Sequence, residues 1–515
     1  MPNQKALLFD LKRHIYGFIK KNFYLIISLA VCLPIYFVNA MKHSVPMGYA
    51  GLFTQMAKQI ADANFSMPVE TPFYGPGGVP FVYPPLGLYL FAILIKLTGK
   101  YFIFLRILPP LLGLVSFIPL YYVTLEVSKS RLAAMSAVII ARSSLDIYIN
   151  NAWAAGIVRA PAFIFCLLAI YFSLRLYNTH SWSDRVLGGV FLGLTLMSHL
   201  VYALFCFLWF WWWSVWNRDI LNRVRVALTV SVIGFLVASL WLVPVLYVYG
   251  VEMFILAFGS HGGDSLFSFW LEPASLLKIF LDRILPISSE LSLVILVSIG
   301  TLYLLVKKNF VLPLFFLLII FGFPVSESDR FVFLVGSVIA GIGLSVVANI
   351  ISGLTVERWR PILVIMVMVP ILGFLSWKSY VAVSRQHPRF YSSTLELADF
   401  IQSNMPPGQK YLALIQQDEA EWLPFLFQRE PVVGKWGGEW LGKYVQQMHF
   451  VGLFRGCQLE QDWSCVKSTF DVASVNPSYI ISYSHDRILY NAIQLDMQWQ
   501  KVYEDDRYVV WERVY

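Results

Sequence analysis

Apolar residues in this chain do not alternate with polar ones at the period of a strand; they come in long, nearly unbroken runs between Asn22 and Ser384. Each run is close to the roughly 20 residues that a helix needs to cross a hydrocarbon core of about 30 Å. The runs predict spans over residues 24–40, 101–124, 131–149, 156–177, 185–199, 200–216, 226–249, 289–306, 309–323, 331–352 and 361–383. The stretch 82–99 is apolar too, but it opens on Pro84-Pro85 and is short for a crossing. Past Ser384 the sequence becomes mixed. A helical pattern from Ser393 to Asn404 stops at Pro406-Pro407-Gly408, and strand-like runs follow at 411–415, 477–484 and 507–514. The expected fold class is an α-helical polytopic membrane bundle of about 11 spans plus outer juxtamembrane helices. A small C-terminal α/β extracytoplasmic domain follows, with the division at 1–384 and 385–515.

Composition agrees: 58% of the residues are hydrophobic and 14% charged, against an apolar share of about 45–50% in soluble domains. The charge of +8 does not point to nucleic acid, because the basic residues lie beside apolar spans and form no aromatic-interleaved patch. Their placement instead sets the topology. If residues 82–99 cross, Lys129 and Arg131 end up outside. If they lie at the outer interface, then Lys129/Arg131, Arg175/Arg185, Arg218/Arg223/Arg225, Lys307/Lys308 and Arg358/Arg360 all fall on the cytoplasmic side with the N-terminus, as Lys and Arg do. The second topology puts residues 41–100 and 250–288 in long outer loops, with an amphipathic stretch at 276–284, and places the C-terminal domain outside. The first run has Lys5, Lys12, Arg13, Lys20 and Lys21 before it and no cleavage site after it, so it reads as a retained span. Cys32, Cys166 and Cys206 fall in apolar runs. Cys457 and Cys465 lie in the soluble region and are either a disulfide, if that region faces an oxidising space, or two free thiols.

With this topology His43, Asp62, Glu70, Arg106, Asp146, Arg159, His199, Asp264, Glu272, Glu327, Asp329 and Arg330 lie at or just beyond the outer ends of spans. An ionisable group near lipid is costly unless it is used. Carboxylates beside arginines at the mouth of a bundle suit a reaction in which an acid activates an acceptor while cations hold a phosphate. Arg142 lies one turn before Asp146, so that pair reads equally as a structural ion bridge. In the tail, VVGKWGGEWLG places Glu439 among glycines and tryptophans, either as a sugar platform or as a turn packed at the interface. No Walker A, GxGxxG or HExxH pattern is present.

The first outer loop, GYAGLFTQMAKQIADANF followed by TPFYGPGGVPFVYPPLGLYLF, resembles that of the GT-C superfamily. Its members are polytopic glycosyltransferases using polyprenyl-phosphate sugars, among them protein O-mannosyltransferases and aminoarabinose transferases. FLRILPP at Arg106, WAAGIVRAPAF at Arg159, LTLMSHLVYALF at His199 and SDRFVFLVGSVIAGIGL at Arg330 add to the resemblance, which covers residues 20–383. It implies an inner-membrane glycosyltransferase that moves a sugar from a polyprenyl-phosphate donor to an acceptor at the outer face. Membrane lipid is the other partner, and nucleic acid is not one. A divalent metal is compatible, though no ligand set of fixed spacing identifies one. Members usually carry an acid soon after the first span, in a pattern such as Asp-Gly-Tyr; this chain reads Met47-Gly48-Tyr49, with no carboxylate between Met41 and Ala61. Another outer carboxylate must then take the role: Glu70 first, whose Pro- and Gly-rich loop can fold it over the bundle, or Asp146. Arg159, Arg330, His199, Arg106, His43 and Glu439 are the substrate-binding candidates. The rival reading is a non-catalytic lipid-handling or transport protein that kept the bundle.

Overall fold

The computed structural model describes residues 2–216, 220–260, 291–322, 329–354 and 356–514. Asp264, Glu272, Glu327 and the stretch 276–284 lie outside them. The first helix, α1 (Pro2–Lys42), breaks its helical backbone at Asn22 and continues as an apolar rod. The loop after it forms α2 (Gly51–Asp62), the two-residue strands β1 (Glu70–Thr71) and β2 (Val79–Pro80), and α3 (Leu86–Thr98). The bundle continues with α4 (Tyr101–Val115), α5 (Phe117–Ser128), α6 (Arg131–Ser143), α7 (Leu145–Ala152), α8 (Gly156–Thr179), α9 (Trp182–Leu196), α10 (Leu200–Val215), α11 (Ile220–Tyr249) and α12 (Glu252–Phe258). After 290 come α13 (Leu291–Val306), α14 (Val311–Gly322), α15 (Asp329–Gly353) and α16 (Arg360–Ser384).

Among the described residues six helices are long and apolar enough to cross a membrane, with α4 and α5 counted together. The bent pair α6 and α7 makes a seventh if it is one span. This is a multi-pass membrane protein. Close helix contact is made by small residues where lipid supplies no hydrophobic drive. A Cβ at Gly193 of α9 would stand 2.6 Å from the carbonyl oxygen of Gly234 in α11.

The C-terminal part contains α17 (Ser392–Asn404), β3 (Tyr411–Leu414), α18 (Gln417–Ala420), α19 (Leu423–Phe427), α20 (Tyr444–Glu460), α21 (Trp463–Ala473), β4 (Tyr479–Tyr483), α22 (Arg487–Gln494), β5 (Trp499–Glu504) and β6 (Tyr508–Arg513). Its sheet has the order β3-β4-β6-β5, parallel between β3 and β4 and antiparallel elsewhere. Cys457 on α20 and Cys465 on α21 are disulfide-bonded. This domain shares one core with the loop that follows α1. Ala57 and Ile60 of α2 and Phe91 of α3 are buried in the same cluster as Leu397, Phe427 and Tyr508.

Candidate functional site

The bend between α6 and α7 begins in the side chains. Ser144 stops α6 with an extended backbone, and its hydroxyl accepts from the Ile147 backbone N–H at 3.3 Å, capping α7. The chain turns by 76° there, and Asp146 falls in the first turn of α7, where the helix dipole favours an anion. A sharp turn at Trp153–Gly156 sends the chain into α8, whose first turn carries Arg159. Asp329 and Arg330 open α15. These helix starts meet in a cavity of about 370 Å³ lined by Tyr49, Asp146, Asn150, Trp153, Arg159, Asp329 and Arg330, with Ile149 and Ala155. Arg159 Nη2 donates to the Tyr49 hydroxyl at 2.8 Å. Arg330 Nη1 donates to Asn150 Oδ1 at 2.5 Å and its guanidinium lies 4.6 Å from the centre of the Tyr202 ring. Two carboxylates and two guanidiniums thus share one polar space among apolar helices. A Mg2+-type cation is commonly held by one or two carboxylates, with water and phosphate oxygens completing its shell, so Asp146 and Asp329 are compatible with one without identifying it. Among the described residues no group of three or more His, Cys, Asp or Glu is disposed to hold a metal ion.

The C-terminal domain closes over one side. Trp436 packs against Tyr49, ring centres 4.7 Å apart. Glu421 puts both carboxylate oxygens on the start of α2, accepting from Gly51 N and Leu52 N at 2.8 Å each. Trp422 Nε1 donates to the Gly48 carbonyl at 2.9 Å. Gly48 itself has φ +72°, and a Cβ there would come within 2.6 Å of the Trp153 ring. The tripeptide that holds Tyr49 over Arg159 is therefore clamped from both sides.

A family model for dolichyl-phosphate-mannose-protein mannosyltransferases matches residues 82–243. The oligosaccharyltransferase AglB from Archaeoglobus fulgidus, solved with an inhibitory peptide and a dolichol-phosphate, superposes with a TM-score of 0.61 at 13% identity, covering 90% of this chain and 70% of that one. ArnT from Cupriavidus metallidurans, solved bound to undecaprenyl phosphate, gives 0.55 at 14% identity over 96% of this chain and 98% of that one. The arabinofuranosyltransferase AftD from Mycobacteria gives 0.53 at 12% identity, over 96% and 40%. The chain has the GT-C superfamily fold. Compared by sequence with curated proteins, it matches none.

Within this GT-C fold the Met47 side chain is buried in the bundle's core cluster, so the position where members usually carry an acid is used here for packing. The other candidates are distributed unevenly. Asp146, Arg159 and Arg330 come together in the polar cavity. His199 is one ring away: it caps α10, its Nδ1 accepting from Val201 N at 3.3 Å, and it stands edge-on to Tyr202 at 5.3 Å. Arg106 Nη1 donates to the carbonyls of His43 and Ser44 at 3.2 and 3.3 Å and so ties down the loop after α1. The His43 ring lies 6.4 Å from that of His387, and burial with the nearby Lys42 charge pulls it below its ordinary value. Neither lines the cavity. Glu70 is exposed on β1, folded over Gly78, where a Cβ would stand 1.8 Å from its Oε1; it is not among the cavity residues either. Glu439 follows Trp436 by one short turn, and burial lifts its carboxyl to about 7.

Arg142 does not pair with Asp146. The bend at Ser144 takes them off a common helix, and Arg142 donates instead to the Val31 carbonyl at 3.1 Å and Ser376 Oγ at 2.6 Å. Sequence reasoning placed Asp329 at the outer face without giving it a role, passed over Tyr49 and Asn150, and met Trp436 only within the VVGKWGGEWLG motif, not as a neighbour of the cavity. Asp329 had a signal, its place beside Arg330 at a helix start. Asn150 had none, and nothing in the sequence tied Trp436 to the cavity, because the partners of both are distant in the chain.

Proposed function

We propose that this protein moves a sugar from a polyprenyl-phosphate donor to an acceptor at the outer face of the cell's inner membrane. The reading includes about eleven crossings, a cytoplasmic N-terminus and an extracytoplasmic domain over 385–515. The observation that carries it is the meeting of Asp146 and Asp329 with Arg159 and Arg330 in one cavity. An apolar groove of about 300 Å³ between α9, α10 and α11, lined by residues such as Leu192, Leu200, Phe207 and Phe235, supports it. Helix α10 links the two, with Leu200 and Ala203 in the groove and Tyr202 under Arg330. A lipid phosphate seated between the arginines would have its hydrocarbon tail along that groove. AglB and ArnT were solved with dolichol-phosphate and undecaprenyl phosphate, which favours the same class of carrier.

Asp146 is the acid/base in this reading. Its carboxylate takes the proton of the acceptor hydroxyl, the oxygen attacks the anomeric carbon, and the bond from that carbon to the phosphate oxygen breaks. The electron pair leaves on the polyprenyl phosphate, where Arg159 and Arg330 stabilise the charge it gains. Asp329 stands beside Arg330 at the start of α15, and Asn150 orients Arg330 by accepting from its Nη1.

The test supplies membranes containing the protein with undecaprenyl-phosphate sugars and measures free undecaprenyl phosphate. Release above protein-free membranes, with sugar appearing on a membrane or envelope acceptor, is expected. Binding of the carrier without release from any donor would favour the non-catalytic lipid-handling reading, to which the buried Met47 lends its weight.

A further inference from the structure

Beside the polar cavity lies a second, smaller one, wholly outside the bundle. It sits between the edge strand β3, the loop 431–436 and one face of α20, and its volume is about 60 Å³. Among its lining residues are two cations, Lys435 and Arg455, and no carboxylate. Three carboxyls lie near Lys435 without lining the cavity: Asp418, engaged by Arg389 at 3.4 Å, Glu421, committed to the Gly51 and Leu52 N–H groups, and Glu439. Lys435 Nζ donates to Gln417 Oε1 at 3.0 Å and lies 4.7 Å from the centre of the Trp436 ring. Tyr411 also lines the cavity. It is fully buried, yet its hydroxyl makes no hydrogen bond among the described residues, which is costly for a buried polar atom.

We propose that this cavity binds the charged end of a negatively charged sugar unit, with Lys435 and Arg455 holding the anion, the Tyr411 hydroxyl and Gln417 meeting hydroxyl or anion oxygens, and Trp436 supplying an aromatic face to the ring. Trp436 belongs to both cavities' surroundings: one side lines this pocket, and its ring packs on Tyr49, which lines the polar cavity and accepts from Arg159. A sugar held here stands one aromatic pair away from the arginines. In the transferase reading, on which only this last step rests, the ligand is part of the acceptor, so the enzyme would select an acidic acceptor. A carboxylate and a phosphate present the same chemistry to Lys435 and Arg455.

The experiment uses the full-length protein in nanodiscs and titrates glucuronate, glucose 6-phosphate, glucose and inorganic phosphate by calorimetry. At least one of the two acidic sugars is expected to bind saturably, about tenfold or more tighter than glucose, the worth of one charge-assisted contact; the tighter of the two identifies the anion. Lys435→Gln with Arg455→Gln should weaken that binding by about tenfold or more, and Tyr411→Phe, a mild change, by a fewfold. Arg159→Ala with Arg330→Ala should leave it unchanged. No saturable binding, equal binding of glucose, equal binding of inorganic phosphate and sugar phosphate, or loss of binding in the Arg159/Arg330 variant instead of the Lys435/Arg455 one would each overturn the proposal. None of these readouts depends on sugar transfer, so failure here leaves the transferase reading standing, and failure of transfer leaves the pocket standing.

Discussion

The two segments on either side of α4, α5 and α6 are put to opposite uses. The first, residues 43–98, has become a docking surface: α2 receives Glu421 on its backbone, Gly48 receives Trp422, and the hairpin's Gly77 donates to Glu430 at 2.9 Å. The second, from Ser144 to Arg159, is a polar corner in which a capped bend and a tight turn aim Asp146 and Arg159 into a shared cavity. In the first segment the position after the opening span holds a buried Met47, and the acids that follow it, Asp62 at the end of α2 and Glu70 on a hairpin, are exposed. A carboxylate's reach to the reacting atoms, not its presence in the right loop, decides its role. The first loop supplies the frame, and the corner at 144–159 supplies the charge.

The comparison breaks most visibly at the arginines of the corner. Replacing both Arg159 and Arg330 by Ala should weaken undecaprenyl phosphate binding by about a thousandfold, each guanidinium contact being worth about 1.5–3 kcal/mol. Undecaprenol, which lacks the phosphate, should bind the parent and the variant alike. Calorimetry in nanodiscs measures both, and unchanged phosphate binding would detach the corner from the carrier.

A smaller effect is expected at the docking surface. Glu421→Ala leaves the N–H groups of Gly51 and Leu52 without their acceptor in a buried place, a loss of about 2 kcal/mol or more. Hydrogen exchange at the start of α2 should speed up accordingly, while carrier binding falls only fewfold. An α2 that exchanges as slowly as in the parent would mean that the clamp is not what holds the loop.

The smallest effect is one of pH. Burial lifts the Glu421 carboxyl from its usual range to about 7, against the two backbone donors that favour the ionised form. The folded protein therefore keeps this proton up to about pH 7, whereas the unfolded chain releases it near pH 4.5. The docked state is favoured at low pH, loses stability as pH rises from about 4.5 to about 7, and levels off above that. Proteolysis within 43–62 should be faster at pH 8 than at pH 5, and Glu421→Gln should flatten the dependence. A dependence of the opposite sign would contradict this assignment.

Much of the helical framework was legible because lipid leaves little choice: a run of apolar residues at 156–177 has to be a helix, and α8 runs from Gly156 to Thr179. The strands at Tyr411, Tyr479 and Tyr508 were equally visible, while β5 was missed because WQKVYE is mostly polar and exposed. Hydropathy also hid the bend. Residues 131–149 read as one continuous span, and only the capping residue Ser144, with Asp146 two positions on, marked the break that separates Arg142 from Asp146. The prolines and glycines around Glu70 suggested a loop able to fold inward; their use is to turn a hairpin, with Gly77 and Gly78 at φ +86° and +91°. The clamp made by Glu421, Trp422 and Trp436 was out of reach, since each joins residues hundreds of positions apart.

The division of labour between the two loops is tested most directly by comparing sugar transfer in Asp146→Asn and Glu70→Gln, each measured as release of undecaprenyl phosphate from its sugar-charged form at saturating donor. Each change removes an acid/base group while keeping size and hydrogen bonding. Transfer by Asp146→Asn is expected to fall by about 100-fold or more, as for other acid/base groups, and that by Glu70→Gln to stay within about twofold of the parent, as for a surface change away from the site. A dead Glu70→Gln beside an active Asp146→Asn would contradict that division.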